Sequence, residues 1–330
     1  MAKNVAIVGA TGAVGQEMIK VLEKRNFPVK NIKLLASKRS AGKDLLFKGE
    51  KVKVEELTTT SFKGVDIALF SAGGAVSKDF AKHVIDAGAV MIDNSSAFRL
   101  EEGVPLVVPE VNPEDVKWHK GIISNPNCST IIMVVAINPI YKLSRIKRIV
   151  ASTYQAVSGA GASAMQECID QTRDFLNGKE IKPVNFAHQI AFNLIPHIDT
   201  FQENLYTREE MKMVWETRKI MHDDQIKVAA TTVRVPVLRS HSESLMIETE
   251  KKLSLEQIKE AILKAPGVIL EDEPQNKVYP MPFFRAGKDE VSVGRIRYDL
   301  SSETGIMLWV VGDQLLKGAA LNAVQIAELL

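Results

Sequence analysis

The chain has 330 residues, 45% hydrophobic and 25% charged, and its 42 Lys+Arg against 40 Asp+Glu give a formal net charge of +2. That length exceeds what one hydrophobic core usually serves, so two domains are expected, and the balanced, interleaved charge excludes a dedicated nucleic-acid or membrane-surface binder. The two cysteines, Cys128 and Cys168, belong to no C-x-x-C pair, which excludes a disulfide framework or zinc ribbon and fits a reducing compartment.

The start of the chain lacks a signal-peptide pattern, and Asn4-Val5-Ala6-Ile7-Val8 runs straight into glycines, as a first strand does. The longest uninterrupted apolar run, 131–137, stops at Asn138-Pro139 and is too short for a bilayer; a cytoplasmic location is expected. Over the first 125 residues, short apolar runs at 5–8, 32–36, 65–71 and 89–93 alternate with helical stretches near 14–25 and 75–87. That rhythm predicts a parallel, doubly wound α/β sheet.

Between the first strand and the first helix lies Gly9-Ala10-Thr11-Gly12-Ala13-Val14-Gly15. Glycines in such a loop permit the tight turn, let backbone approach a pyrophosphate and let helix pack closely on strand; the helix N-terminus then favours the anion. Gly9, Thr11, Gly12, Ala13 and Val14 are the expected cofactor contacts. The second strand ends in Ser37-Lys38-Arg39-Ser40, with no carboxylate until Asp44. An NAD-selective site usually carries an acid there, whereas the hydroxyls of Ser37 and Ser40 with the Arg39 guanidinium suit a 2′-phosphate, so NADP is favoured over NAD. A solvated basic loop is the plainer reading of Lys38. Ser71 and Gly73, in Ser71-Ala72-Gly73-Gly74, are expected beneath the adenosine or pyrophosphate; the two glycines also serve a simple chain turn.

Asn125-Pro126-Asn127-Cys128-Ser129-Thr130 follows a short β-like stretch and opens a helix-length apolar run at 131–143. A thiol at a helix N-terminus meets unpaired N–H groups and the positive end of the dipole, both of which favour the nucleophilic thiolate and suit an oxyanion. The plainer reading is a cysteine that packs, which is the one given to Cys168. From about residue 145 the pattern changes to longer strands at 146–155, 227–237, 244–250, 291–298 and 305–312, with helices near 160–177, 207–221 and 254–265. This predicts an α+β domain, and 313–330 is expected to return to the first domain as an amphipathic helix. Thiol chemistry calls for an acid–base partner, and of six histidines His241, in the polar Arg239-Ser240-His241-Ser242 at a strand end, is the leading candidate; His197 is the reserve.

GATGAVG, NPNCST, Tyr154-Gln155-Ala156-Val157-Ser158-Gly159-Ala160-Gly161, NLIPHID at 193–199, and Arg234 followed seven residues later by His241 together resemble bacterial-type aspartate-β-semialdehyde dehydrogenases. The match runs in order over essentially the whole chain. The resemblance implies a Rossmann-like NADP-binding domain of 1–127 and 313–330 and a catalytic and dimerisation domain of 128–312, paired as a homodimer or a dimer of dimers. It implies reversible conversion of L-aspartyl 4-phosphate and NADPH to L-aspartate 4-semialdehyde, NADP and phosphate, on the route to lysine, threonine, methionine and diaminopimelate. Cys128 would displace phosphate and hold the aspartyl group as a thioester, which hydride then reduces.

In that scheme His241 is the acid–base residue and Gln155 orients the thioester. Arg234 grips the α-carboxylate in bidentate fashion. Glu216 and Lys219, three apart on one helix face, bind the ammonium and the phosphate; an exposed ion pair is their plainer reading. Arg99 is the second phosphate ligand, Ser158 and Gly159 line the nicotinamide, and Gln314, where some relatives carry asparagine, reaches its carboxamide. No metal is implied, since the histidines are scattered. A reductase of another acyl phosphate, such as N-acetylglutamyl phosphate, is the neighbouring alternative, and a non-catalytic nucleotide-binding relative is the distant one.

Overall fold

The strands of the first half are short and apolar on both faces, as a sheet covered by helices on each side requires. The computed structural model describes residues 1–330 and divides into two units, Met1–Asn127 with Ala319–Leu330, and Cys128–Gly318. In the first unit, strands β1 (Lys3–Val8), β2 (Val29–Ala36), β3 (Asp44–Phe47), β4 (Glu50–Glu56), β5 (Ile67–Phe70), β6 (Val90–Asp93) and β7 (Ile122–Ser124) form one sheet in the order β3-β4-β2-β1-β5-β6-β7. All neighbours run parallel except β3, which is antiparallel to β4. Without that edge strand the order is the one of dinucleotide-binding sheets, with its reversal between β1 and β5, where such folds take their ligand.

Helix α1 (Ala13–Lys24) packs on β1, and helix α2 (Gly74–Asp86) covers the opposite face. There Val76, Phe80, Ala81 and Val84 meet Ala6, Val8, Ala68, Phe70 and Met91. The β3–β4 hairpin is absent from the sequence reading. Its strands are charged and largely exposed, so no apolar alternation marks them; the signal was the Lys48-Gly49 turn, both residues at positive φ (52° and 80°), as a two-residue hairpin requires.

The second unit opens with α3 (Cys128–Leu143), buried all round from Ser129 to Ile140. It lies against the sheet β11-β12-β13-β10-β8-β9, built from β8 (Ile146–Ala156), β9 (Lys227–Val235), β10 (His241–Thr249), β11 (Val268–Leu270), β12 (Val291–Tyr298) and β13 (Gly305–Gly312). Helices α4 (Ala162–Leu176), α5 (Arg208–Met221), α6 (Leu255–Lys264) and the one-turn α7 (Pro282–Arg285) complete it. On β10 the side chains alternate: Glu243, Leu245 and Ile247 are buried on the helix side, whereas Ser244, Met246 and Glu248 are half-buried on the other.

The last segment departs from the expected amphipathic helix. A π-helical turn, Leu316–Ala320, leads into α8 (Leu321–Glu328), and residues 313–324 are all buried, so the segment is core-facing on every side. Within the first unit α8 packs on α1 and β6, and Asn322 Nδ2 donates to Val107 O (2.9 Å) and Asn125 Oδ1 (2.6 Å). Residues 313–318 remain with the second unit, where Asp313 accepts from Arg239 Nε at 2.6 Å. No helix is long and apolar enough to cross a membrane.

Candidate active site

Sheet register assembles the second unit's chemistry. Parallel pairing of β8 with β9 sets Gln155 opposite Arg234. Antiparallel pairing of β10 with β8 sets Ser242 opposite Tyr154, which brings His241 level with Gln155, and His241 in turn faces Gly312 of β13. Arg234, Gln155 and His241 thus form one cross-strand row on the buried face, each at most 7% exposed. Cys128 begins α3 over this row, its Sγ 3.5 Å from His241 Nε2. Gly318 makes room for it, since a Cβ there would come within 2.9 Å of the Cys128 Cβ. That residue, on a π-helical turn of the kind often found at functional sites, had no motif to announce it.

His241 is fully buried, and its Nδ1 accepts a hydrogen bond from the Ala156 N–H at 3.0 Å. Burial, and then the neighbouring Arg234 cation, bring its pKa down to about 3, so the ring is neutral at physiological pH. Arg234 Nη1 donates to Ala156 O at 2.8 Å, so one residue's backbone secures both side chains. Ser240, just before His241, is held in the left-handed region (φ 73°), with its N–H given to Gln314 Oε1 at 2.8 Å.

Glu209, in the first turn of α5, is the carboxylate the structure brings to the row. Its Oε1 accepts from Gln155 Nε2 at 3.2 Å, and its Oε2 pairs with Lys212 Nζ at 2.9 Å. Lys212 also reaches Asp199 Oδ2 at 2.8 Å. Burial works against the ammonium, yet the two carboxylates hold its pKa above the ordinary lysine value. The sequence reading had named Glu216 and Lys219 for this helix. The helix and the i,i+3 spacing were those expected, but the pair at the row lies seven residues earlier, about 10 Å along the axis at ~1.5 Å per residue. Thr207 fixes that place by capping α5 in a reciprocal box with Glu210, which puts Glu209 in the first turn beside β9. The discriminating signal was Thr207-x-x-Glu210.

Gln155 spends its amide donors inside the protein, on Glu209 and the Ser129 hydroxyl, leaving its carbonyl oxygen as the free end. Gln314 is likewise drawn inward. It is 2% exposed, and besides Ser240 its amide nitrogen donates to the Ser158 hydroxyl, which donates to Leu238 O. In this arrangement Gln314 supports the His241 loop rather than presenting its amide outward. Gly159 is exposed, and a Cβ there would lie 2.9 Å from Arg234 Nη1 and 3.2 Å from His241 Cε1, so only glycine leaves both side chains where they are. His197 is stacked on Phe201, with centroids 4.5 Å apart, and Cys168 is buried in the Val157, Ile190, Ile195 cluster.

In the first unit the glycine loop closes the turn between β1 and α1. Gly9 stands at φ 84°, and a Cβ there would meet Ser71 O at 2.3 Å; one on Gly15 would meet Gly9 O at 2.2 Å. Thr11, Gly12, Ala13 and Val14 form the turn and first residues of α1. Ser71 and Gly73 lie between β5 and α2, next to the β1 loop. Ser37 and Arg39 are exposed and Ser40 half-buried, in a turn closed by Ser40 N–H to Ser37 O at 2.8 Å. This backbone cradle, open where side chains would fill it, fits a dinucleotide. Arg99 is no solvated loop residue: it is 7% exposed, its Nε donating to Asn125 O (3.0 Å) and Nη2 to Asn94 O (2.9 Å).

A dinucleotide-binding sheet joined to a unit carrying a cysteine–histidine pair defines a nicotinamide-dependent dehydrogenase of the semialdehyde type. Residues 4–119 match the family description "Semialdehyde dehydrogenase, NAD binding domain", and 137–317 match "Semialdehyde dehydrogenase, dimerisation domain". The aspartate-semialdehyde dehydrogenase of Aquifex aeolicus is 60% identical, with 100% of this chain and 98% of the relative covered; that of Bacillus subtilis is 54% identical, with 98% and 96% covered. The solved structure of aspartate semialdehyde dehydrogenase II from Vibrio cholerae, complexed with ASA, superposes with a TM-score of 0.97 at 49% identity, covering 100% of this chain and 98% of that one. The chain belongs to the aspartate-semialdehyde dehydrogenase family: oxidoreductases of amino-acid biosynthesis that carry out a reductive dephosphorylation with a nicotinamide cofactor.

Proposed function

We propose that catalysis runs through a thioester on Cys128 with NADP as the coenzyme, interconverting L-aspartyl 4-phosphate and L-aspartate 4-semialdehyde. The observation that carries this reading is the 3.5 Å approach of Cys128 Sγ to His241 Nε2 at the start of α3. The thiolate adds to the substrate carbonyl, and the N–H groups of the first turn of α3, with His241, oppose the charge that develops on oxygen. When bound, the nicotinamide supplies or accepts the hydride. Arg234, 7% exposed and fixed to Ala156 O, is the grip for the α-carboxylate. Glu209 takes the substrate ammonium and Lys212 the phosphoryl group, roles the sequence had given to Glu216 and Lys219. Arg99 is an anion-binding residue of the first unit, and Ser37, Arg39 and Ser40 receive the 2′-phosphate. Glu209 also favours a free α-ammonium over an acylated nitrogen, hence the aspartyl substrate over an N-acetylglutamyl one.

We place the homodimer contact on the outer face of the second sheet, where Val150, Tyr154, Met246, Met307 and Trp309 are half-buried apolar side chains. The test of the activity is reduction of NADP by L-aspartate semialdehyde with and without phosphate. Phosphate-dependent turnover, abolished in Cys128→Ala with NADP binding retained, is expected. Phosphate-independent turnover, or activity in Cys128→Ala above a few per cent, contradicts it.

A further inference from the structure

We propose that the turn from Asp313 to Gly318 is the positioning element of the reactive cysteine. Asp313 shapes the turn, and Gly318 sets where Cys128 stands over the row of Arg234, Gln155 and His241. The assignment rests on the thioester reading above and names two residues outside the row on which that chemistry depends.

Asp313 is fully buried, and both oxygens of its carboxylate are occupied. Its Oδ1 accepts the N–H groups two and three residues on, from Leu315 at 2.9 Å and Leu316 at 3.3 Å. That is an N-cap, made by one of the side chains best suited to the task. Its Oδ2 accepts from Arg239 Nε and from the Gly287 N–H, each at 2.6 Å. Its main-chain oxygen accepts the N–H of Gly318, five residues on, at 3.1 Å, the wide spacing of a π turn. One residue therefore both starts the turn and closes it.

The near end of the turn holds the start of β10. Gly312 pairs with His241 in the β10–β13 ladder, Asp313 takes the Arg239 side chain, and Gln314 Oε1 takes the Ser240 N–H at 2.8 Å. The far end meets the cysteine. A Cβ on Gly318 would lie 2.9 Å from Cys128 Cβ and 3.3 Å from its Cα. Neither atom is the end of a flexible side chain, so the first turn of α3 would have to move as a unit. Ser129, next along α3, is fully buried and accepts from Gln155 Nε2, so the displacement would reach the row as well. Because the wide turn brings a glycine to this point, Cys128 Sγ comes to 3.5 Å from His241 Nε2.

A turn that merely ended β13 would account for the cap on Leu315 and Leu316. It would not call for glycine at a helical position, where alanine is ordinarily preferred, against the one thiol the chemistry uses. The groups proposed to grip the substrate are anchored elsewhere, Arg234 by Ala156 O and Glu209 by Lys212. A shift of Cys128 therefore alters the line of attack more than the binding of substrate.

The test is the pair Gly318→Ala and Asp313→Asn in the full enzyme, assayed with L-aspartate semialdehyde, NADP and phosphate. Gly318→Ala leaves every bond of Asp313 in place and is expected to lower kcat by about thirtyfold or more, with KM for each substrate within about threefold; a displacement of ~1 Å can cost ~100-fold. An amide keeps the size of Asp313 but accepts on one side only, so either the cap or Arg239 is lost, and kcat is expected to fall by about tenfold. In both variants, alkylation of Cys128 by iodoacetamide, located by peptide mapping, is expected to slow by at least about threefold, as a thiol moved off its helix N-terminus does. Rates of turnover and alkylation equal to the parent's overturn the assignment, and so does a rise in KM alone. A lower melting temperature with the parent's kcat also overturns it, since the turn would then be a structural fastener only. If one variant does not fold, the other decides. Alkylation reads the cysteine whether or not it carries an acyl group, so failure of the thioester reading shows separately, as activity in Cys128→Ala.

Discussion

In the first unit the groups proposed to hold the cofactor stand where strands end. The Gly9–Gly15 turn follows β1, Ser37–Ser40 follows β2, Ser71–Gly74 follows β5, and most of what they offer is main chain. In the second unit the chemistry stands on the sheet itself, as side chains on neighbouring strands levelled by register: Arg234 of β9, Gln155 of β8 and His241 of β10. A main-chain cradle tolerates any residues that permit its turn, and it is specified locally. A row of side chains depends on contacts across long stretches of chain, 113 residues from Cys128 to His241, and Arg234, Gln155 and His241 are each buried and already bonded. The first arrangement recognises a shape common to many ligands, and the second fixes individual atoms against one another.

The strongest way to break this comparison is to exchange the two candidate carboxylates of α5. Glu209→Gln is expected to lower kcat/KM for L-aspartate semialdehyde by about thirtyfold, as loss of a charge-assisted contact of about 2 kcal/mol does. Glu216→Gln, in folded protein, is expected to stay within about threefold. Steady-state kinetics on the pair decide it, and the reverse order would return the ammonium site to Glu216.

On the cofactor side the effects are expected to be smaller, because the cradle is mostly backbone. Arg39→Ala is expected to weaken NADP by about tenfold while leaving NAD nearly unchanged, the share of one exposed charge–phosphate contact. Equal losses in a titration with both dinucleotides would remove the 2′-phosphate assignment from the Ser37–Ser40 turn.

Glu243 gives the mildest test, through stability. Its folded-state pKa is raised by burial, so the stability tied to its proton is complete below the unfolded carboxylate's pKa, near ~4.3, and declines as pH rises above that. Glu243→Gln removes the titration. Its melting temperature relative to the parent is therefore expected to climb with pH, by a few degrees, about 2–4 °C for each kcal/mol, between about pH 5 and about pH 8. A gap independent of pH would show that Glu243 is ionised in the fold.

The legibility of each region follows the same division. Gly9, Gly15 and the strand–turn–helix around them were readable because one short stretch fixes both the backbone and its use. Cys128 was readable because Pro126, Ser129 and Thr130 mark a helix start. His241 was named from its polar strand-end cluster and Arg234 from a family pattern, while their meeting with Gln155 depends on strand register, which alternation of residues does not reveal. The Glu209–Lys212 pair was displaced to Glu216–Lys219 because both pairs share the i,i+3 spacing, and only the Thr207 cap says which turn begins the helix. Gln314 was named as a cofactor contact from the family pattern, while its bonds to Ser158 and Ser240, 156 and 74 residues away, were not legible in the sequence. The charged β3–β4 hairpin was passed over for the opposite reason, having almost no buried side to read.

The most direct measurement is the mass of the intact protein after rapid mixing with L-aspartate semialdehyde and NADP in the absence of phosphate. The account predicts a single acyl adduct, located by peptide mapping on Cys128, that disappears when phosphate is added. Reduced cofactor formed with no adduct, or an adduct on any other residue, would contradict it.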